Sequence, residues 1–396
     1  MLTTTIDRIL DAAISGHTLS IPDGLDLLLQ TDQGALEVIR QAADELRKNL
    51  VGDRVTYVIN RNINFTNICE QHCGFCAFRR DRSDVDAYWL DWEVIFEKAT
   101  ASVQIGATEI CMQGGLNPHA KVDGVVHPTL AYYGQLLKAL KTQFPDVHLH
   151  AFSPQEIQFI AREDGLDYGT VISTLQMAGL NSMPGTAAEV LDDSVRRLLC
   201  PEKINSATWL EIVSTAHRLG VHTTSTLLSG HIETPAHQIH HLERLRSLQQ
   251  ASLQRNYRAA FTEFILLPYV GQTAPRALRR KVGRDQPVLA DALHLTAVAR
   301  LFLGHWIPNH QPSWVKLGIQ GAATALAWGC NDMGGTLMEE HITSMAGAEG
   351  GTCQSVENLQ TAITSMNRPF HQRDTLYHLI PMNSSILKDH PAATLG

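Results

Sequence analysis

Three of the seven cysteines lie within eight residues of one another, in the stretch "NICEQHCGFCAF" at residues 67–78. Cys69, Cys73 and Cys76 have the spacing Cys-x3-Cys-x2-Cys. Thiolate sulfur is a soft ligand, suited to zinc, copper(I) and iron–sulfur clusters. Because a closed structural site normally uses four protein ligands, a triad predicts a metal centre that keeps one position for an external ligand.

A 4Fe–4S cluster fits this number of thiols, since three irons each take one thiolate and the fourth iron stays open. Zinc is the alternative, because His72 lies inside the loop and would complete a Cys3His site. The chain would then be a non-enzymatic zinc-binding protein. The other cysteines stand alone and are predicted to be structural: Cys111, Cys200, Cys330 and Cys353.

The composition is that of a large globular protein, with 396 residues, 44% hydrophobic and 18% charged. The formal net charge is −8, and no Lys/Arg run is prominent, so a nucleic-acid partner is not expected. No uncharged apolar run of about 18 residues occurs, so no membrane-spanning helix is expected. The odd number of scattered cysteines makes a poor disulfide framework and predicts a reducing, cytoplasmic location.

Hydrophobic periodicity divides the chain into helices and strands. The first fifty residues predict two or three short helices, one of them starting at the Ser-x-x-Asp sequence of Ser20 to Asp23. Helices are also predicted at 92–105, 129–143, 187–199, 206–219, 235–250 and 287–303. Strands are predicted in "VTYVINRNINFT", "TEICMQGG", "VHLHAFSP", "NSMPG", "HTTSTLLSG", "FTEFILLPYV", "SWVKLG" and "CNDMGGTL".

Eight strands that alternate with helices predict a (β/α)8 TIM-type barrel, with an open doubly wound sheet as the alternative. We expect one domain: a helical segment at 1–54, the barrel core at 55–305, and the final strands with C-terminal helices at 306–396. In a barrel the chemistry lies at the C-terminal ends of the strands. The cysteine loop after the first strand and Gln113-Gly114-Gly115 after the second both fall at this end.

The cysteine spacing, on a loop after the first barrel strand, resembles the radical S-adenosylmethionine (SAM) superfamily. Further stretches resemble the family of FO synthase subunits that act on tyrosine: "GATEICMQGGLNP", "HLHAFSP", "PGTAAEVLDDSVR", "FTEFILLPYV", "PSWVKLG" and "NDMGGTLMEEHITSMAGA". Sibling radical enzymes stay open as alternatives. They are the tyrosine lyases of thiamin and hydrogenase-cofactor assembly and the two radical enzymes of futalosine-dependent menaquinone biosynthesis.

The resemblance implies two cofactors. Cys69, Cys73 and Cys76 would hold one 4Fe–4S cluster, and SAM would chelate the open iron and give a 5′-deoxyadenosyl radical. Phe75, the aromatic residue before the last cysteine in the family pattern, would flank the adenine or shield the cluster as a hydrophobic side chain. The segment Gln113-Gly114-Gly115 would meet the methionine amino group, because glycine lets backbone approach a ligand closely, or it would form a plain tight turn.

The resemblance also implies the reaction and its partners. The radical would abstract a hydrogen from L-tyrosine, whose 4-hydroxybenzyl group would add to 5-amino-6-(D-ribitylamino)uracil and leave 2-iminoacetate. A companion FO synthase subunit 1 would close the deazaflavin ring, and flavodoxin or ferredoxin would donate the electron. No nucleic acid or membrane would be involved.

Polar residues near other strand ends are candidates for holding the substrates. Glu263 would point into the barrel and bind an amine, or form a barrel salt bridge. Ser313 and Lys316 would reach a carboxylate or the uracil carbonyls. Asn331 and Asp332 would lie at the start of a helix and bind a polar ligand, or serve as an ordinary N-cap. We assign no catalytic residue, because radical cleavage depends mainly on positioning.

Overall fold

The computed structural model describes residues 2–119, 121–122, 125–126 and 129–381. The chain begins with three helices, α1 (Leu2–Ile14), α2 (Ile21–Leu28) and α3 (Gln33–Val51). Ser20 and Asp23 form a capping box at α2, in which each side chain accepts a hydrogen bond from the other residue's backbone N–H. The predicted N-terminal helices are therefore confirmed.

The next strands form the wall of a barrel. Its first strand is split at Ile59 into β1 (Val55–Val58) and β2 (Asn60–Ile63). The strands that follow it around the wall are β3 (Glu109–Met112), β6 (His148–Ala151), β7 (Ser182–Met183), β8 (His222–Ser229), β9 (Phe261–Pro268), β10 (His310–Pro312) and β11 (Asp332–Gly335). Adjacent strands from β2 to β10 pair in parallel, and β11 pairs in parallel with β1. Strands β4 (Lys121–Val122) and β5 (Val125–Val126) form a separate antiparallel pair.

Backbone hydrogen bonds around Asn331 close the barrel. Its N–H donates to the carbonyl of His310 at the start of β10, over 3.1 Å, and its carbonyl accepts from Thr56 N–H in β1, over 3.0 Å. The last two barrel strands and the first are thereby joined into a ring. The predicted TIM-type barrel is confirmed, and the open-sheet alternative is not supported.

Helices pack outside the strands, and the main apolar core fills the layer between them. Asn205 and Thr234, for example, cap the helices that follow them by accepting backbone hydrogen bonds. The helices after the N-terminal segment are α4 (Trp92–Gln104), α5 (Thr129–Gln143), α6 (Pro154–Asp164), α7 (Tyr168–Ala178), α8 (Asp193–Leu199), α9 (Ser206–Leu219), α10 (Pro235–Gln254), α11 (Arg276–Val282), α12 (Leu289–Leu303), α13 (Trp314–Ala325) and α14 (Val356–Ser365). Within the described part of the chain, no helix is both long and apolar enough to cross a membrane.

The prediction of a strand at "SWVKLG" was wrong. The strand is β10 in the preceding "HQP", and α13 begins at Trp314 directly after Ser313. Tryptophan and valine favour strands, but a run of six residues carries too little periodicity to decide between strand and helix. Strand β10 has a polar central residue, Gln311, so it lacks the apolar signal by which the other strands are recognised.

The predicted helix at 187–199 is shorter than expected. It begins at Asp193, with Asp192 accepting from the N–H groups of Ser194 and Val195. Ala187 and Glu189 have φ angles of 63° and 46°, which lie in the left-handed region and are incompatible with a right-handed helix. The apolar residues before Asp192 are buried, but they belong to an irregular loop and not to the first turns of the helix.

A strand that the sequence analysis did not predict, β12 (Phe370–Gln372), pairs with β1 on its free edge. The chain continues from it across the N-terminal end of the barrel, where Arg373 N–H donates to Tyr57 O over 2.9 Å. The predicted domain boundaries stay a prediction, and the final residues 382–396 lie outside the described part.

Arg373 enters the barrel interior and carries a buried ionic network. Its guanidinium contacts Asp332 through two nitrogens, at 2.5 and 3.0 Å, and Glu263 at 3.4 Å. Tyr377 also donates to Glu263. Burial raises the pKa of Glu263 to about 7, although Arg373 opposes the shift. The segment after β12 therefore neutralises carboxylates that would otherwise be stranded inside the barrel.

We predict that Arg373→Met lowers the free energy of unfolding by about 3–5 kcal/mol, because it leaves buried carboxylates without a counterion. Without Arg373, the buried carboxyls of the folded state have pKa values above those of the unfolded chain. The loss of stability should therefore be larger at pH 8, where the unfolded chain ionises these carboxyls freely, than at pH 5. Anaerobic urea unfolding measures both effects. Arg54→Met, at an exposed position, is the control and should change stability by less than about 0.5 kcal/mol. Equal losses at the two pH values would contradict the account.

Candidate functional site

A cavity of about 360 Å³ opens at the C-terminal ends of the barrel strands. Its polar lining comes from loops after several different strands, the arrangement expected for a TIM-type active site. Nine of the residues predicted from the sequence line it: Cys69, Cys73, Cys76, Phe75, Gln113, Gly114, Gly115, Ser313 and Lys316.

The cysteine loop is tied to its neighbours by backbone hydrogen bonds. Glu70 N–H donates to Leu116 O over 2.9 Å, in the loop after β3, and Gly74 N–H donates to Leu199 O over 3.1 Å, at the end of α8. Within the loop, Cys76 N–H donates to Cys73 O over 3.1 Å. These bonds fix a loop that has little regular structure of its own.

Gly115 is a packing requirement of this loop. A Cβ at this position would lie 2.2 Å from Ile68 O and 3.0 Å from Cys69 Cβ, so only glycine fits. Gly114 N–H donates to Glu156 Oε1 over 3.1 Å, and Glu156 also closes the capping box of α6 with Ser153. The segment after β3 therefore supports the first cysteine as well as lining the cavity.

The three thiols suit a cationic iron centre. Burial raises the pKa of Cys73 to about 12 and raises that of Cys69, so a thiolate at either position needs a strong positive charge beside it. Iron supplies that charge, and the thiols border an open cavity into which a cluster and its external ligand can fit. The donor set and the space thus fit a 4Fe–4S cluster with one open iron.

The zinc alternative finds no support in the geometry. The His72 side chain is 57% exposed, and its Nδ1 lies 3.3 Å from Glu202 Oε2, outside the cavity lining. Among the described residues, no group of three or more His, Cys, Asp or Glu side chains is arranged around the position of one metal ion. A cluster does not require that arrangement, because each thiolate binds a different iron.

A buried ion pair that the sequence analysis missed lies beside the cysteines. Lys203 Nζ is 2.6 Å from Glu189 Oε1 and 5.3 Å from the centre of the Phe75 ring. Burial disfavours the charge on Lys203, but Glu189 and nearby thiols outweigh it and raise the lysine pKa. The two residues come from different irregular loops, so no local spacing in the sequence links them. Together they present one group of each sign to the cavity.

Ser313 and Lys316 are a second pair of polar residues in the cavity lining. Ser313 directly precedes α13, and its hydroxyl makes no capping bond to the helix. Burial lowers the pKa of Lys316 to about 8, with Glu340 opposing the shift. A cationic ammonium and a hydroxyl that does not cap its helix can together bind an anionic group such as a carboxylate.

The structure places the other three substrate candidates away from the cavity lining. Glu263 and Asp332 belong to the ionic network of Arg373. Asn331 Oδ1 accepts from Arg300 Nη2 over 2.8 Å and from His310 N–H over 2.9 Å. Asp332 starts strand β11, so the expectation of a helix start at this pair was wrong. The salt-bridge alternative for Glu263 agrees with the geometry.

Gln311, which the sequence analysis also missed, connects the ionic network of Arg373 with the cavity. It lines the cavity, and with its amide nitrogen turned inward it donates to Glu263 Oε2 and Asp332 Oδ1, at 3.2 Å each. The ionic network therefore sets the orientation of one amide at the cavity floor.

Two family models match the chain in succession. The model described as the radical SAM superfamily matches residues 63–245, which include the cysteine loop. The model described as the CofH/MqnC C-terminal region matches residues 259–386.

Curated relatives match over nearly the whole chain. A 5-amino-6-(D-ribitylamino)uracil–L-tyrosine 4-hydroxyphenyl transferase of Trichormus variabilis is 68% identical, over 94% of this chain and 95% of its own length. A protein of the same name from a Synechocystis species is 61% identical, over 96% of both chains.

Solved structures show the same fold at low sequence identity. Methylornithine synthase (PylB) superposes with a TM-score of 0.70 at 17% identity, over 91% of this chain and 96% of its own. The FeFe-hydrogenase maturase HydG of Carboxydothermus hydrogenoformans gives a TM-score of 0.67 at 14% identity, over 94% of this chain and 80% of its own.

We predict that Gly115→Ala displaces the cysteine loop and lowers the iron retained after anaerobic reconstitution at least severalfold, because its Cβ would overlap Ile68 O. Iron and sulfide analysis measures the effect. Gly134→Ala in helix α5 is the matched control, since its Cβ would lie 3.9 Å from its nearest neighbour atom, Ala178 Cβ in α7, which is ordinary van der Waals contact. Full iron content in Gly115→Ala would show that this close contact does not position the loop.

Proposed function

The chain belongs to the family of 5-amino-6-(D-ribitylamino)uracil–L-tyrosine 4-hydroxyphenyl transferases, within the radical SAM superfamily, and we propose that it carries out this transfer in the cavity at the barrel mouth. The observation that carries the proposal is 68% identity to a transferase of that name over 94% of the chain. The cysteine triad lining the cavity supports the same class of chemistry.

Cys69, Cys73 and Cys76 are the residues that would hold the cluster. When bound, a 4Fe–4S cluster and SAM supply one-electron cleavage of the sulfonium, which gives methionine and the hydrogen-abstracting 5′-deoxyadenosyl group. The protein contributes position and exclusion of water. Glu189 and Lys203, beside Phe75, are placed to meet the polar groups of SAM in the same part of the cavity.

The reaction transfers the 4-hydroxybenzyl group of L-tyrosine to the uracil and releases 2-iminoacetate. The cavity must therefore hold a zwitterion, a uracil and a polyol chain while it keeps water from a reactive radical. Ser313 and Lys316 are the polar pair suited to the tyrosine carboxylate. Apolar side chains that also line the cavity are suited to shielding the reacting fragment: Leu228, Ile265, Leu267 and Leu337.

The partners and location rest on the chemistry of the family and the composition. We place the enzyme in the cytoplasm, where low-potential reductants keep thiols reduced, and all seven cysteines are free thiols. A companion FO synthase subunit 1 would take up the product, and flavodoxin or ferredoxin would supply the electron.

The reconstituted protein should convert tyrosine and 5-amino-6-(D-ribitylamino)uracil to a 4-hydroxybenzyl adduct, with 2-iminoacetate and 5′-deoxyadenosine. Mass spectrometry of anaerobic reactions, with each substrate also omitted in turn, measures this. Free p-cresol without an adduct would identify a tyrosine lyase instead and would contradict the proposal.

Lys316→Met should raise the KM for tyrosine about 10- to 100-fold, because it removes a charge-assisted hydrogen bond of about 1.5–3 kcal/mol. Lys316→Arg should recover much of the loss. In the wild type, the KM should rise as the pH increases above about 8, where the lysine becomes neutral. Iron content is the control for the fold of the site. An unchanged KM in Lys316→Met would remove Lys316 from the tyrosine site.

A further inference from the structure

Helix α11 and the turn after it form a concentrated basic surface. The sequence "RALRRKVGR" at residues 276–284 has five Arg or Lys residues in nine and no acidic residue, in a chain of formal net charge −8. The expectation that no basic run is prominent was therefore wrong for this segment. Arg276, Arg280 and Lys281 are exposed.

Part of this charge has no partner among the residues that the structure describes. Arg279 pairs with Asp285, with Nε to Oδ1 at 2.8 Å, and Arg284 pairs with Asp291 at 2.7 Å. Within the described residues, no carboxylate lies within ion-pair distance of Arg276, Arg280 or Lys281. Three positive charges on this short surface are therefore available to an external anionic group.

The same helix covers the cysteine loop. Leu278 belongs to a small apolar cluster that includes Leu199 and packs against Cys73 and Phe75. A Cβ at Gly74 would lie 3.7 Å from Leu278 Cδ2, so helix and loop are in direct contact. In a helix, residues 276 and 280 project from the face opposite Leu278. Arg276 and Arg280 therefore point away from the cysteine loop, and Lys281 is exposed beside them.

Apolar residues adjoin the basic ones in the segment that leads to α12. Val288 is 44% exposed and Leu289 is 40% exposed. Exposed aliphatic residues beside arginines are characteristic of surfaces that bind proteins, whereas nucleic-acid sites combine basic grooves with aromatic stacking or base contacts. The combination favours an acidic protein as the partner.

We propose that this surface, residues 276–289, docks an acidic one-electron carrier protein over the cysteine loop. In the docked complex the carrier would lose one electron and a cluster held by Cys69, Cys73 and Cys76 would gain it, with no bond made or broken. The inference rests on membership of the radical SAM superfamily and not on the identity of the substrates.

Binding of flavodoxin to the anaerobically reconstituted holoenzyme tests the proposal. Isothermal titration calorimetry at about 50 mM salt should show binding that weakens as salt increases. Arg280→Glu/Lys281→Glu should weaken it at least about tenfold. The control, Arg54→Glu/Arg258→Glu, makes the same charge change at exposed residues that precede β1 and β9, at the other end of the barrel. It should bind within about twofold of the wild type.

A second readout separates docking from damage to the site. With dithionite as reductant, the helix variant should keep the iron content and the 5′-deoxyadenosine yield of the wild type. Equal binding by the helix variant and the wild type, or equal weakening in the helix variant and the control, would overturn the proposal. So would a helix variant that loses binding to an oligonucleotide while flavodoxin binding is unchanged. None of these outcomes depends on tyrosine transfer. Failure of the docking proposal can therefore be distinguished from failure of the transferase proposal.

Discussion

Burial of thiols at the barrel mouth is the constraint on which the site depends. Burial disfavours thiolates at Cys69 and Cys73 by raising their pKa, and the opposing charge of Lys203 does not overcome this effect. The thiolate state therefore requires bound iron, and the loop must be held so that its three sulfurs can reach one cluster. The contacts of this loop with the segment after β3, with the end of α8 and with α11 meet that requirement.

Residues that stabilise the barrel and residues that line the cavity lie at opposite ends of its axis. At the N-terminal end, carboxylates are paired with Arg373 in a network that a C-terminal segment completes. At the mouth, Lys316 and Ser313 keep hydrogen-bonding capacity for ligands. Gln311 lies between the two regions, so changes in the network can reach the cavity floor through one amide.

The local features that indicated the site were interpreted correctly, although the strand at "SWVKLG", the start of the helix at 187–199 and the basic run at 276–284 were not. The non-local pairings were missed. The cysteine spacing, the glycines after β3 and the alternation of strands and helices each depend on neighbouring residues, and they predicted the barrel and one side of the cavity. The pair of Glu189 and Lys203 joins two irregular loops, and Arg373 reaches the barrel through an unexpected strand. Neither pairing leaves a periodic signal. The substrate candidates Glu263 and Asp332 were assigned to the wrong end of the barrel for the same reason. A prediction that a side chain points into the barrel does not tell whether it lies at the mouth or at the N-terminal end.

The central claim is that three thiols hold a cluster and leave one iron for SAM. Iron and sulfide analysis of the reconstituted protein, combined with electron paramagnetic resonance of the reduced state with and without SAM, tests it most directly. The account predicts about four irons per chain and a cluster signal that changes when SAM is added. A single bound zinc without iron, or a cluster signal that does not respond to SAM, would contradict it.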